Sequence, residues 1–210
     1  MKQLLFALAV VVVVAGGGWY VWRTFYSAPA AAPIAAVPAD TQTTYASSTL
    51  GVSFMYPPAY TLNAQYAYDL FGPNKLINGF KVTIPASMAM ASTSSPQAGT
   101  NLSADTYLSV EQLPRAKRCT ADIYLTANVT AHAVSEGGTD YSFASSSGVA
   151  AGNRYEEQVY ALATSTPCTA VRYFIHYAAI ENFPADTVQE FDRTALLADF
   201  DKIRHSLFRI

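Results

Sequence analysis

Leu4 to Trp22 is a run of nineteen residues without a charge, bounded by Lys2 and Arg23. As a helix it would rise roughly 28 Å, close to the about 30 Å of a bilayer hydrocarbon core. Such a run is hard to place in a water-soluble fold, so it predicts a transmembrane helix inside a signal anchor over residues 1–26. A secretory signal peptide competes, because Ala28-Pro29-Ala30 and Ala30-Ala31-Ala32 offer small-residue cleavage sites. The run exceeds the about 7–15 residues of a cleavable apolar core, ends on Trp19 and Trp22, and is stopped by Arg23, so retention is expected. The expected location is a single-pass cell membrane protein with an extracytoplasmic C-terminal body, or a secreted one if the signal is cut. The bilayer is then a partner through residues 4–22.

Residues 27–43 are rich in Ala, Pro, Thr and Ser, with Pro29, Pro33 and Pro38 regularly spaced and Asp40 the single charge. Proline at that density favours an extended linker of about 3.1 Å per residue. Residues 44–210 follow as one domain, of a length able to bury about 70% of its unfolded surface. In that domain acidic residues outnumber basic ones, and the basic ones are scattered except for Arg115, Lys117 and Arg118. That distribution argues against a nucleic-acid partner, which requires a concentrated basic surface.

The cysteines are Cys119 and Cys168 alone, in a segment expected to leave the reducing compartment. They are read as a structural disulfide, worth about 4 kcal/mol by loop closure. Cys-x-x-Cys spacing is absent, and two cysteines with three dispersed histidines lack zinc-ligand spacing. Met88 and Met90 are read as loop residues rather than soft metal ligands. No metal and no cofactor is expected.

Period-two alternation runs through most of the domain. Leu50, Val52, Phe54 and Tyr56 share one side of a strand that Pro57-Pro58 stops. Short strands are predicted over 79–84, 106–113 and 121–127, and a hairpin from 154–163 and 169–177 around Thr164 to Pro167. The period then changes: Leu196, Phe200, Ile203 and Leu207 form an apolar helical stripe, with Asp199, Asp201, Lys202 and Arg204 outside it. Asp192 is an N-cap candidate, Thr187 with Glu190 an alternative capping box, and Phe208 to Ile210 a short last strand. The order predicts an α+β fold, an antiparallel sheet packed by helices.

Tyr45, Leu50-Gly51-Val52-Ser53-Phe54 and Tyr56-Pro57 at one end, with Phe200, Ile203, Ser206, Leu207 and Phe208 at the other, resemble the opening strand and closing helix of PsbP-like domains of bacterial envelope proteins. The resemblance covers the two ends of the domain. It implies α/β/α layers, a bacterial envelope location with an envelope protein as partner, and a non-catalytic accessory or assembly role.

Hydrolytic motifs are missing: there is no Gly-x-Ser-x-Gly elbow, no His-Glu-x-x-His and no phosphate-cradling glycine loop. The sharpest catalytic alternative is a periplasmic hydrolase using His176 and Glu157 across the hairpin, with Arg172 as an anion clamp. A slip in register would separate the two, and a polar face of a half-buried sheet explains the same residues. The expected function is therefore a membrane-tethered binding or assembly domain, with Glu157, Arg172 and His176 its candidate binding residues. Tyr155, Tyr160, Tyr173 and Tyr177 offer an alternative binding face, although their alternation with Val171 and Ile175 favours core packing.

Overall fold

The structure is a computed structural model that describes residues 41–85, 88 and 99–210. The apolar run 4–22 and the linker as far as residue 40 lie outside the described residues. Among the described residues no helix is long and apolar enough to cross a membrane.

The compact unit Thr41–Ile210 is built on two antiparallel sheets. The smaller joins β1 (Thr43–Ser47), β2 (Val52–Tyr56) and β10 (Phe208–Arg209). The larger contains β3 (Thr61–Tyr68), β4 (Ile77–Thr83), β5 (Tyr107–Leu113), β6 (His132–Glu136), β7 (Thr139–Ala150), β8 (Asn153–Leu162) and β9 (Cys168–Ala178). Its order is β3-β4-β5-β9-β8-β7-β6. Tight hairpins make the second half of this sheet. Gly137 and Gly138 turn β6 into β7 with φ of 59° and 78°, the left-handed pair that matches strand twist and that glycine adopts without strain.

Cross-strand partners share a face, so the register sorts the large sheet into two sides. One side carries Phe80, Val82, Leu108, Val110, Val171, Tyr173 and Ile175, all in one buried cluster with Phe54 of the small sheet. The same cluster takes Leu196, Phe200 and Ile203 of α1 (Arg193–His205), whose N-cap Asp192 accepts from Ala195 N at 2.9 Å. Leu196, Phe200 and Ile203 of the predicted stripe therefore bury as expected, while Leu207 lies past the helix end and is half-buried. The capping-box alternative is not used at this terminus.

The other side is covered at one end by residues 114–131. Ala121, Tyr124 and Leu125 from this segment pack on Ala144, Val159, Ala161 and Ala170. Cys119 and Cys168 are joined in a disulfide that fastens the segment to the first residue of β9.

The expected α/β/α layering is thus corrected. The strands are antiparallel, but among the described residues α1 is the only α-helix, and the far face has an irregular cover instead of a helical layer. Pro114 and the β-branched Thr120, Ile123, Thr126, Val129 and Thr130 disfavour a helix there, and the sulfur link pins the segment at Cys119. The strand expected over 121–127 is replaced by a 3-10 turn, Ala121–Tyr124. Its alternation serves burial of Ala121, Tyr124 and Leu125, not a ladder.

Candidate functional site

The three residues singled out as binding candidates all lie on the disulfide-bearing face, where Glu157 and Arg172 meet and His176 stands apart. β8 and β9 pair Glu157 with Phe174 and Tyr155 with His176, so Glu157 and His176 are two register steps apart. Glu157 meets Arg172 instead, at 2.8 Å. Arg172 is fully buried and grips Glu111 with two parallel bonds of 2.9 Å each, while its Nη2 also donates to the Tyr124 carbonyl at 2.7 Å. Its guanidinium lies 3.6 Å from the Tyr68 ring centroid, and Tyr68 donates to Glu157 at 2.9 Å. Burial alone would lower the guanidinium's pKa, but Glu111 and Glu157 outweigh it and hold the group above its ordinary value. This is a structural staple across β3, β5, β8, β9 and the 3-10 turn. It stands where the sequence suggested an anion clamp.

His176 has a different partner. Its Nδ1 lies 2.7 Å from Asp105 Oδ1 and its ring stacks on Tyr155 with centroids 4.4 Å apart. Nε2 is buried and has no hydrogen-bond partner among the described residues, so no hydroxyl there stands ready as a nucleophile. Asp105 and Glu111 were not anticipated. Glu111 alternates with Tyr107 and Ser109 like a solvent-facing strand residue, and only the cover over that face makes it interior.

A second buried cation was misplaced by the sequence reading. Arg204, expected outside the helical stripe, is 1% exposed and packs over the rings of Tyr160 and Tyr141. It donates to Tyr173 Oη at 2.8 Å and to Asp201 at 3.0 Å, and reaches Glu136 in the β6–β7 hairpin. Its spacing from Leu196 and Phe200, four residues per step, was the available signal. Of the tyrosines offered as a binding face, Tyr160 and Tyr173 are therefore packed against this arginine and α1. Tyr177 donates to Glu156 at 3.0 Å and lies against Phe191. Tyr155 alone of the four lies on the disulfide-bearing face. Met88 accepts from Tyr60 at 3.9 Å, and Met90 lies outside the described residues. Among the described residues no cluster of His, Cys, Asp or Glu is arranged to hold a metal.

Past the cover, the disulfide-bearing face continues as a stripe of rings across the sheet. Tyr66 on β3 bonds Tyr107 on β5 through their hydroxyls at 2.8 Å, with Lys81 Nζ over both rings. Tyr107 stacks on Phe174, and Tyr155 on His176 follows. The rings spend their faces on one another.

An open groove of about 1460 Å³ lies at the covered end, beside Cys119. It is lined by residues 114–120, bearing Arg115, Lys117 and Arg118, together with Leu76 at the β3–β4 turn and His132 at the start of β6. Ile123, Val129 and Leu113 contribute apolar surface between them. Leu76 is 50% exposed, a large apolar side chain left at the groove mouth. The three cations are exposed, and none has an ion pair or a side-chain hydrogen bond among the described residues.

Fold and site together define an antiparallel β protein with a single described helix and a disulfide-fastened cover over one sheet face. No protein-family model and no curated protein matches the chain. Among solved structures it is similar to cyanobacterial PsbP from Synechocystis sp. PCC 6803, at 14% identity and a TM-score of 0.39 over 86% of this chain and 99% of that one. A protein of Bacteroides thetaiotaomicron VPI-5482 is similar at 12% identity and a TM-score of 0.39, over 82% of this chain. This chain spans about half the length of that protein, 49%. A PsbP structure thus stands among the neighbours, as the resemblance of the domain's two ends implied. At that TM-score the likeness carries no argument about function.

Proposed function

We propose that this chain is a membrane-tethered, extracytoplasmic binding or assembly domain that works without catalysis and holds a partner in the groove beside the Cys119–Cys168 link. The observation that carries the reading is the contrast between two kinds of polar residue. Glu157, half of the catalytic alternative, is occupied by Arg172 and Tyr68 in a buried network. Arg115, Lys117 and Arg118 line an open groove, exposed and with no ion-pair partner among the described residues. Charged groups that already satisfy one another hold a fold together, whereas unmatched ones beside exposed apolar surface suit recognition. The leading apolar run and the proline-spaced linker support tethering, and the oxidised cysteine pair supports a location outside the reducing compartment.

Site-specific photo-crosslinking in intact cells tests this. A crosslinker placed at Leu76 or Ala116 of the full-length chain should give a discrete adduct in the membrane fraction, and one at Val149, in the distant β7–β8 region, should not. Identical adducts from both regions, or none from the groove, would overturn the reading.

A further inference from the structure

Resting on that reading, we propose that the occupant of the groove is an extended, acidic segment of a partner polypeptide that also carries apolar side chains. Charge sets the sign of the partner. At the groove, Arg115, Lys117 and Arg118 face one lining carboxylate, Asp122, although the chain as a whole has a formal net charge of −2. A local excess of unmatched cations attracts negative partners and repels positive ones, even on a net negative chain.

The apolar lining adds the second requirement. Leu76, Leu113, Ile123 and Val129 offer hydrophobic contact that a bare inorganic anion cannot use. At about 1460 Å³ the groove exceeds the roughly 300–1,000 Å³ typical of small-molecule pockets.

The backbone indicates an extended conformation. β6 ends the strand order on this side, and among the described residues it pairs only with β7. His132 and Ala133 at its start line the groove. An unpaired strand edge accepts a further strand through main-chain hydrogen bonds, with alternate side chains free to reach pockets beside it. A segment that pairs at His132 and Ala133 and continues through the groove brings its carboxylates to Arg115, Lys117 and Arg118 and its apolar residues to Ile123 and Val129. Each part of the surface is then used.

Full-length protein in a neutral detergent provides the test, with two pools of short synthetic peptides as probes. One pool alternates Asp or Glu with Leu or Val, and the other replaces every acid with Lys. Inorganic phosphate and phosphatidylglycerol vesicles serve as competitors. The acidic pool should be retained and the basic pool washed through. The variant carrying Arg115→Glu, Lys117→Glu and Arg118→Glu should bind the acidic pool about tenfold more weakly, or less, and keep its thermal transition, since all three side chains are exposed. Equal retention of both pools, no loss in the variant, or displacement by phosphate or vesicles alone would overturn the proposal. The photo-crosslinking result separates the two levels: an adduct at Leu76 with no acidic preference leaves a binding domain with the wrong occupant assigned, and no adduct removes the binding reading itself.

Discussion

Arg172 shows how a charged side chain can be indispensable to a fold without touching a ligand. Two glutamates and one arginine share a buried space, so truncating the arginine leaves carboxylates facing one another away from water. Arg172→Met should lower the free energy of unfolding by about 3–5 kcal/mol in a urea titration. Adding Glu111→Gln and Glu157→Gln to that variant should restore part of the loss. A single variant as stable as the parent would show that the network compensates no buried charge. The tyrosines packed around both arginines give a second expectation. Burial, opposed by Arg172 or Arg204 and reinforced by neighbouring carboxylates, holds Tyr68 and Tyr173 far above the usual tyrosine value, and Tyr160 is pushed up to about 12. In the unfolded chain these groups ionise near 10. Below that pH both states are neutral and the contribution is whole; above it only the unfolded chain gains by ionising, so stability falls as pH rises from about 10 through 12. Absorbance of tyrosinate should therefore show a late phase that coincides with loss of near-ultraviolet circular dichroism. Ionisation in one phase near 10 with the fold intact would contradict it.

Among the elements, β4 meets β5 with the least room. A Cβ built on Gly79 would collide with the carbonyl of Val110 on the neighbouring strand, and the atom it meets is backbone, which cannot swing aside. Gly79→Ala should cost about 1–3 kcal/mol, seen as a lower thermal midpoint, whereas the same change at the open Gly148 should cost much less. Elements of strong period were legible in the sequence. The hairpin expected over 154–163 and 169–177 is β8 with β9, and Leu196, Phe200 and Ile203 announced α1. β1, β3, β6 and β7 were not anticipated, and β1 begins at Thr43, inside the expected linker. β7 carries the serine-rich stretch Ser145-Ser146-Ser147 and a largely exposed second half, so it has no apolar alternation to announce it and exists because β8 pairs along its length. The candidate site was less legible still. Glu157 and Arg172 stood out as residues but as reactive ones, since only register reveals that they serve each other. The groove draws on segments far apart in the chain, Leu76 and Arg115 among them, which no local pattern connects.

For the molecule as a whole, the disulfide is a stability device, and the proposed extracytoplasmic placement is what would keep it oxidised. It closes a loop of 49 residues, and reduction should lower unfolding stability by about 4 kcal/mol on the chain-entropy account. Membranes prepared with a thiol-blocking reagent present should yield a chain whose cysteines become modifiable only after reduction. A cytosolic chain with both thiols modified at once would remove the extracytoplasmic placement. The same sulfur link ties the stretch bearing Arg115, Lys117 and Arg118 to the first residue of β9. A surface stitched in that way is only as firm as the oxidant around it. Where electrons are plentiful the stitch opens and the cationic flank slackens, so on the proposed reading the hold on an acidic segment should follow the redox climate.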